Sequence, residues 1–176
     1  MGGLWPPAEE RKEETLMIAI VAVDKNWGIG KDGKQQLFIS PDLKRFKDFT
    51  TGNTIILGRK TVATFPNGKP LKNRRNLILS RNPDYAPEGG EVYPDLDSLL
   101  AQVDDPDNTY VVGGASVYHT MLPKCHRAYV TKIDGEFPAD CWFPNLDEDP
   151  EWEVESEEDW QEYDGIRFRY VNYRRK

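Results

Sequence analysis

The chain has 176 residues, of which 38% are hydrophobic and 30% are charged, and its net charge at pH 7 is -7. This length predicts one domain that buries a full core without disulfide or metal crosslinks. The excess of acids argues against a nucleic-acid-binding protein, because such proteins present a basic face to the phosphates. No apolar run approaches the length of a membrane-spanning helix, so we expect no insertion into a membrane.

The two cysteines, Cys125 and Cys141, lack the spacing of metal ligands, and the chain has only two histidines to assist them. This usage predicts reduced structural thiols in the cytoplasm and no metal site. Charge is unevenly distributed, because residues 147–164 are strongly acidic whereas residues 44–81 hold many Lys and Arg. The basic middle of the chain is suited to an anionic small molecule.

Residues 1–16 are rich in Gly, Pro and Glu, and we expect them to form an N-terminal extension appended to a domain of residues 17–176. The continuous apolar run from Met17 to Val23 predicts a strand that is buried on both faces. Residues 27–34 contain three glycines and predict a loop after this strand.

A helix is predicted to begin near Ser40, with this serine as the N-cap and Pro41 at the first helical position. Leu43, Phe46 and Phe49 recur at helical spacing and form its apolar face.

Asp42 lies in the first turn of this predicted helix, beside the apolar face. Two interpretations are open for it: an acid that complements the helix dipole, or a proton-handling group in an apolar cleft.

Two strand ends carry residues suited to phosphate binding. Residues 54–57 predict a buried strand that leads into Gly58, Arg59, Lys60 and Thr61, which offer backbone N–H groups, two cations and a hydroxyl. A plain glycine turn with solvated bases explains this tetrapeptide equally well. Residues 110–112 predict another buried strand, followed by two glycines and a helix over 115–122, although the full dinucleotide-binding fingerprint is absent.

The remaining pattern completes the predicted architecture. A helix is expected over residues 96–103, and strands over 75–80, 91–93, 127–134, 151–155 and 166–173. This alternation predicts a single three-layer α/β/α domain, with a mostly parallel mixed central sheet and an antiparallel C-terminal strand.

Several short motifs, in this order, resemble those of bacterial dihydrofolate reductases over residues 17–175. They are IAIVAVD, GIGKDG, PDLKRFK, GRKT, PLKNRRN, VVGGASVY, VTKID and the FP pair at Phe143 and Pro144. The resemblance implies a cytoplasmic, monomeric oxidoreductase that transfers hydride from NADPH to 7,8-dihydrofolate. The product, tetrahydrofolate, serves one-carbon metabolism, and such enzymes are antifolate targets.

The resemblance also implies roles for individual residues. Asp42 and Thr131 match the catalytic carboxylate and the threonine that shares its hydrogen-bond network. The other residues implied at the substrate are Ile18, Ala19, Ile20, Phe46, Phe65, Leu71, Arg74, Val112 and Tyr118. Those implied at the cofactor are Ile20, Ile29, Gly30, Gly58, Arg59, Lys60, Thr61, Leu79, Ser80, Arg81, Val112, Gly113, Gly114, Ala115, Ser116, Val117 and Tyr118.

One segment departs from the family pattern. The family has a Pro-Trp pair before the catalytic helix, whereas this chain has Gln35, Gln36, Leu37 and Phe38. Leu37 cannot donate the hydrogen bond by which the tryptophan orders a water near the carboxylate. We expect the loop of residues 28–38 to close over the nicotinamide and exclude water during hydride transfer.

Two other functions fit the predicted fold. A pyrimidine reductase of riboflavin synthesis shares the fold, but it needs a phosphate site in place of an arginine for a carboxylate tail and usually lacks the Pro-Asp-Leu-x-x-Phe helix. The presence of both Asp42 and Arg74 argues against it. A non-catalytic nucleotide-binding or RNA-binding module is disfavoured by the acidic charge and by the intact set of Asp42, Phe46, Arg74 and Thr131.

Overall fold

The computed structural model describes residues 16–31, 34–35 and 39–176, with the backbone alone described for 34–35. The strands are β1 (Met17–Val23), β2 (Gly28–Lys31), β3 (Lys34–Gln35), β4 (Thr54–Gly58), β5 (Arg75–Leu79), β6 (Gly90–Tyr93), β7 (Thr109–Gly113), β8 (Cys125–Ile133), β9 (Cys141–Trp142), β10 (Trp152–Glu157), β11 (Gln161–Tyr163) and β12 (Ile166–Arg175). The α-helices are α1 (Ser40–Thr50), α2 (Arg59–Val62), α3 (Leu96–Leu100) and α4 (Ala115–Met121), with 3-10 turns at Pro66–Gly68, Pro106–Asn108 and Leu122–Lys124.

Nine strands form the central sheet, in the order β10, β12, β8, β1, β7, β4, β5, β6, with β11 paired to the free part of β12. The six strands from β8 to β6 in this order run parallel. Strand β12 runs antiparallel to both β8 and β10. The predicted mostly parallel mixed sheet with antiparallel C-terminal pairing is therefore confirmed.

Strand β1 explains why helices cover both faces of this sheet. Side chains alternate between the faces of a strand, so Met17, Ala19 and Val21 enter a core cluster that includes residues of α3 and α4. Ile18 and Ile20 enter a second cluster on the opposite face, against residues of α1 and α2. This division produces the three predicted layers.

The glycine-rich segment after β1 differs from its prediction as a loop. Strand β2 pairs antiparallel with β9 on one side and with β3 on the other, which makes a small three-stranded sheet. Glycine counts predict loops because glycine is flexible, but here Gly28 and Gly30 pair with Trp142 and Cys141, more than a hundred residues away. Such long-range pairing leaves no local pattern.

Helix α1 begins one residue earlier than predicted. Its N-cap position is Ile39, no side chain caps it, and Ser40 lies inside the first turn. The prediction of Ser40 as the N-cap is wrong because its hydroxyl accepts a hydrogen bond from the Tyr163 hydroxyl at 3.0 Å. The N–H of Asp42 is satisfied by the carbonyl of Ile39 instead.

Other boundaries shift by a few residues, as is usual at the ends of elements. The predicted helices over 96–103 and 115–122 end earlier, and the strands of β8 and β12 are longer than predicted. The predicted arm, residues 1–16, lies outside the described residues except for Leu16, and so do Gln36, Leu37 and Phe38. The proposed closing loop is described only at residues 28–31 and 34–35.

A buried carboxylate at the end of β1 connects this strand to the small sheet through hydrogen bonds. Asp24 is 3% exposed, and its side chain accepts hydrogen bonds from the backbone N–H groups of Asn26 and Gly28, both at 2.9 Å. Its second oxygen accepts one from the N–H of Phe137 at 3.0 Å. Three segments of the chain thus meet at one side chain.

We expect Asp24→Ala to lower the free energy of unfolding by about 3 kcal/mol, because it leaves backbone donors unsatisfied in a buried place. Urea denaturation measures this loss. The control is Asp134→Ala, which removes partly exposed ion pairs to Lys25 and Arg167 and should cost less than about 1 kcal/mol. Equal losses in the two variants would contradict the assigned role of Asp24.

Candidate active site

A cleft of about 1670 Å³ opens at the carboxyl ends of the parallel strands. In the sheet, strand β1 lies between β7 and β8. After β1, however, the chain forms β4, β5 and β6 before it forms the two strands that flank β1. Such a change in strand order separates the connections on the two sides and leaves a crevice, which is where open α/β sheets bind ligands. The cleft exceeds the size of a pocket for one small molecule and has room for a substrate beside a dinucleotide.

One carboxylate lies inside the cleft, next to a threonine from another element. Asp42 comes from the first turn of α1, and the Thr131 hydroxyl of β8 donates a hydrogen bond to its Oδ1 at 2.5 Å. Burial raises the pKa of the Asp42 carboxyl, while the Thr131 hydrogen bond and the charge of Arg45 partly oppose that increase. An acid in this environment can accept N–H groups of a ligand when ionised and can hold a proton nearer to neutral pH.

Apolar side chains form the walls beside Asp42. Ile20 of β1 and Val112 of β7 line the floor, and Phe46, Phe65 and Leu71 line one side. Phe46 lies one turn after Asp42 on α1, so the helix presents a carboxylate and an aromatic ring on the same face. This arrangement suits a flat heteroaromatic ring with polar edges.

Arg74 is held at the far end of the same cleft by a fixed set of acceptors. Its Nε donates to Oγ1 of Thr50 at 2.9 Å, Nη1 to the carbonyl of Lys72 at 2.9 Å, and Nη2 to Oγ1 of Thr51 at 3.3 Å. A guanidinium has five N–H groups, so one remains on each Nη. These two donors form a fork suited to a carboxylate.

The other half of the cleft is built around two glycine turns. Gly113 and Gly114 are joined by a cis peptide bond, and Gly113 has a φ of 125°. A Cβ atom on Gly113 would lie 3.3 Å from the Tyr118 ring, and one on Gly114 would lie 3.4 Å from Oγ1 of Thr61. The turns after β4 and β7 therefore lie side by side, and only glycine lets a ligand approach the backbone so closely.

Tyr118 fixes the second of these turns to the sheet. Its hydroxyl donates to the carbonyl of Ile20 at 2.7 Å, and complete burial raises its pKa. The phenol therefore remains a neutral donor.

Three exposed cations line this half of the cleft. Arg59 and Lys60 begin α2, and Arg81 follows β5. Backbone N–H groups at the two turns and these cations together fit the pyrophosphate and the 2′-phosphate of NADPH.

The part of the chain that the structure describes contains no cluster of three or more His, Cys, Asp or Glu arranged to hold a metal.

The cleft brings together all the residues predicted at the site except two. Ile18 and Ala19 are buried in β1 and are not among the described residues that line it. Other lining residues were not predicted, among them three with polar or reactive side chains, Arg45, Asp95 and Cys141. Arg45 could have been found, because it lies three residues after Asp42 on the same helix. Cys141 reaches the cleft only because β9 pairs with β2, and Asp95 only because of the position of α3.

Comparisons with known proteins agree with this geometry. The family described as dihydrofolate reductase matches residues 16–175. A dihydrofolate reductase type 3 from Salmonella typhimurium is 38% identical over 130 residues, covering 74% of this chain and 79% of the relative. The dihydrofolate reductase of Bacillus subtilis is 38% identical over 143 residues, covering 81% of this chain and 83% of the relative.

A solved structure gives the same result for the fold. Dihydrofolate reductase from Enterococcus faecalis, complexed with NADP(H) and RAB-propyl, superposes with a TM-score of 0.79 at 34% identity, over 93% of this chain and 98% of that one. The motifs, the cleft and these matches lead to one conclusion: the chain belongs to the dihydrofolate reductase family and is an NADPH-dependent oxidoreductase.

Proposed function

We propose that the chain reduces 7,8-dihydrofolate to tetrahydrofolate, with Asp42 as the group that binds the pterin and supports its protonation. The observation that carries this assignment is the pairing of Asp42 with Thr131 inside an apolar cleft. When bound, NADPH supplies the hydride that carbon 6 of the substrate accepts. The adjacent ring nitrogen takes up the proton, so the substrate gains one hydride and one proton.

In this proposal, the ionised carboxylate of Asp42 accepts hydrogen bonds from the amino group and a ring N–H of the pterin. The Thr131 hydroxyl occupies one lone pair of Oδ1 and fixes the carboxylate plane. The negative charge stabilises a protonated pterin ring, and a water carries the proton to the reacting nitrogen. Phe46 packs on the pterin and aminobenzoyl rings, and Phe65 and Leu71 enclose the aminobenzoyl group.

We assign the α-carboxylate of the glutamate tail to the two free donors of Arg74. Preorganisation supports this role, because Thr50, Thr51 and Lys72 hold the guanidinium before any ligand binds. For the cofactor, Arg59, Lys60 and Arg81 favour NADPH over NADH through the 2′-phosphate.

We further propose a cytoplasmic monomer that binds neither nucleic acid nor membrane. The site draws all its assigned residues from one chain, and the net charge of -7 disfavours polyanions.

Both cysteines are free, and burial raises the pKa of Cys125 to about 12, so this thiol is unreactive. Within residues 16–31, 34–35 and 39–176, no helix combines the length and apolar character needed to cross a bilayer.

The family match over residues 16–175 supports a catalytic domain of residues 17–176, with residues 1–16 as an appended extension.

The direct test is the loss of NADPH absorbance on addition of dihydrofolate, with NADH and a riboflavin-pathway pyrimidine as controls. Oxidation with dihydrofolate and NADPH, and with neither control, supports the proposal. Oxidation only with the pyrimidine would assign the site to the other reductase.

Asp42→Asn should lower turnover at pH 7 by about 100-fold or more, because the amide cannot stabilise the protonated pterin. The thermal shift that NADPH produces should remain, since Asp42 lies in the other half of the cleft. Asp48→Asn, an exposed acid on the same helix, is the matched control and should retain activity. Near-normal turnover by Asp42→Asn would disprove the assigned role.

Asp42→Asn should also raise the melting temperature at pH 8 by a few degrees. Burial raises the pKa of the Asp42 carboxyl in the folded state above its value in the unfolded chain. The protonated carboxyl therefore contributes its full share of the free energy of unfolding below the pKa of the unfolded chain. This contribution is lost as pH rises through the pKa of the folded state. The amide never ionises and avoids that loss. The difference between variant and wild type should therefore vanish below about pH 4, and a pH-independent difference would contradict this explanation.

Arg74→Lys should raise KM for dihydrofolate about tenfold or more while changing kcat little, because an ammonium cannot replace the bidentate fork. Steady-state kinetics with dihydrofolate and with a dihydropterin that lacks the glutamate tail make the comparison. The variant and the wild type should reduce the tailless compound equally well. If KM for the tailless compound rose to the same extent, Arg74 would not bind the tail.

A further inference from the structure

Arg45 is a partly buried cation whose position on α1 links it to Asp42. It lies three residues after Asp42, so both side chains project from the same side of the helix, and both line the cleft. The guanidinium carbon of Arg45 lies 3.8 Å from the ring centroid of Tyr170 and 5.1 Å from that of Phe49. Its Nη2 donates to Oδ1 of Asn172 at 3.3 Å.

These contacts hold the guanidinium but leave its charge uncompensated. Phe49 and Asn172 are neutral, and burial raises the pKa of Tyr170, so its phenol is neutral as well. Among the described residues, the acids that interact with Arg45 are Asp42 and Glu158. Glu158 is exposed, and water screens its charge, so Asp42 is the partly buried acid on which the field of Arg45 acts.

Over the described ranges, 16–31, 34–35 and 39–176, four groups interact with Asp42. They are Thr131 on β8, Tyr118 on α4, Tyr170 on β12 and Arg45 on its own helix. Burial raises the pKa of both tyrosines, which therefore stay neutral through the working range. Among these neighbours, the positive charge belongs to Arg45.

We infer that Arg45 is a positioning residue that acts through Asp42: its charge favours the ionised carboxylate and so sets the pH range over which the site transfers hydride. The inference rests on the proposed function of Asp42. A cation at this place opposes the binding of a proton in the cleft, whether the proton is on Asp42 or on the pterin nitrogen that Asp42 supports.

This sign gives a definite expectation for the pH profile. Hydride transfer needs a proton in the site, so its rate falls as pH rises past an apparent pKa. Removal of the Arg45 charge makes protonation easier and moves that fall to higher pH. Burial thus raises the pKa of the Asp42 carboxyl, whereas the charge of Arg45 lowers it.

The experiment compares the single-turnover rate of NADPH oxidation across pH 5 to 9 in four proteins. In Arg45→Met the midpoint of the falling limb should move up by about one pH unit, whereas in Arg45→Lys it should stay close to that of the wild type. Lys44→Met removes a cation from the exposed side of the same helix and should leave the midpoint unchanged. If Arg45→Met fails to fold, Arg45→Gln makes the same comparison.

A second readout does not depend on turnover. The carboxyl carbon of Asp42, identified in a 13C NMR spectrum by its loss in Asp42→Asn, should titrate at higher pH in Arg45→Met than in the wild type. Equal titration in these two proteins, or an equal shift in Arg45→Lys, would overturn the inference. If the NMR shift occurs but wild-type protein fails to oxidise NADPH with dihydrofolate, the proposed function fails and the charge coupling stands.

Discussion

The hydrogen bond between Thr131 and Asp42 joins residues that are 89 positions apart in the chain, and the site depends on it. It requires α1 to lie across the carboxyl ends of the strands, and β8 to lie directly beside β1. The parallel register that pairs Ala22 with Thr131 meets the second requirement. The continuous apolar sequence of β1 suits this position, because a strand inside a helix-covered parallel sheet is buried on both faces.

Two arginines of the cleft, Arg45 and Arg74, are held in place mainly by neutral groups. Arg74 is fixed by two hydroxyls and a carbonyl, and Arg45 by two aromatic rings and an amide. All these hydrogen-bond and ring partners are neutral, so each guanidinium is held in place without a direct ion pair among them. Arg75, the neighbour of Arg74, shows the contrast, since it forms an ion pair with Glu91 at 2.6 Å and serves the packing of β5 against β6.

Sequence reasoning succeeded where the determining interactions are local. The apolar run of β1 and the helical spacing of Phe46 and Phe49 carry their own pattern, so most strands and helices could be predicted from it. Most of the cleft residues came from the resemblance of short motifs to a known family, because no local pattern brings those motifs together in space. Sequence reasoning failed for β2, which pairs with the nearby β3 and with β9, more than a hundred residues away, and for Ser40, whose hydroxyl accepts a hydrogen bond from Tyr163. Ile18 and Ala19 were expected at the cleft but lie within the sheet, since a buried strand exposes few of its side chains at its end.

The charge lining the cleft is opposite to that of the whole protein. Among the described residues that line it, two acids, Asp42 and Asp95, face seven cations: Lys31, Arg45, Lys47, Arg59, Lys60, Arg74 and Arg81. A positive field concentrated in a low-dielectric crevice draws anions inward over distances comparable with the Debye length. The carboxylates of a folate tail and the phosphates of a dinucleotide therefore meet a favourable field during diffusional encounter, before any side chain contacts them.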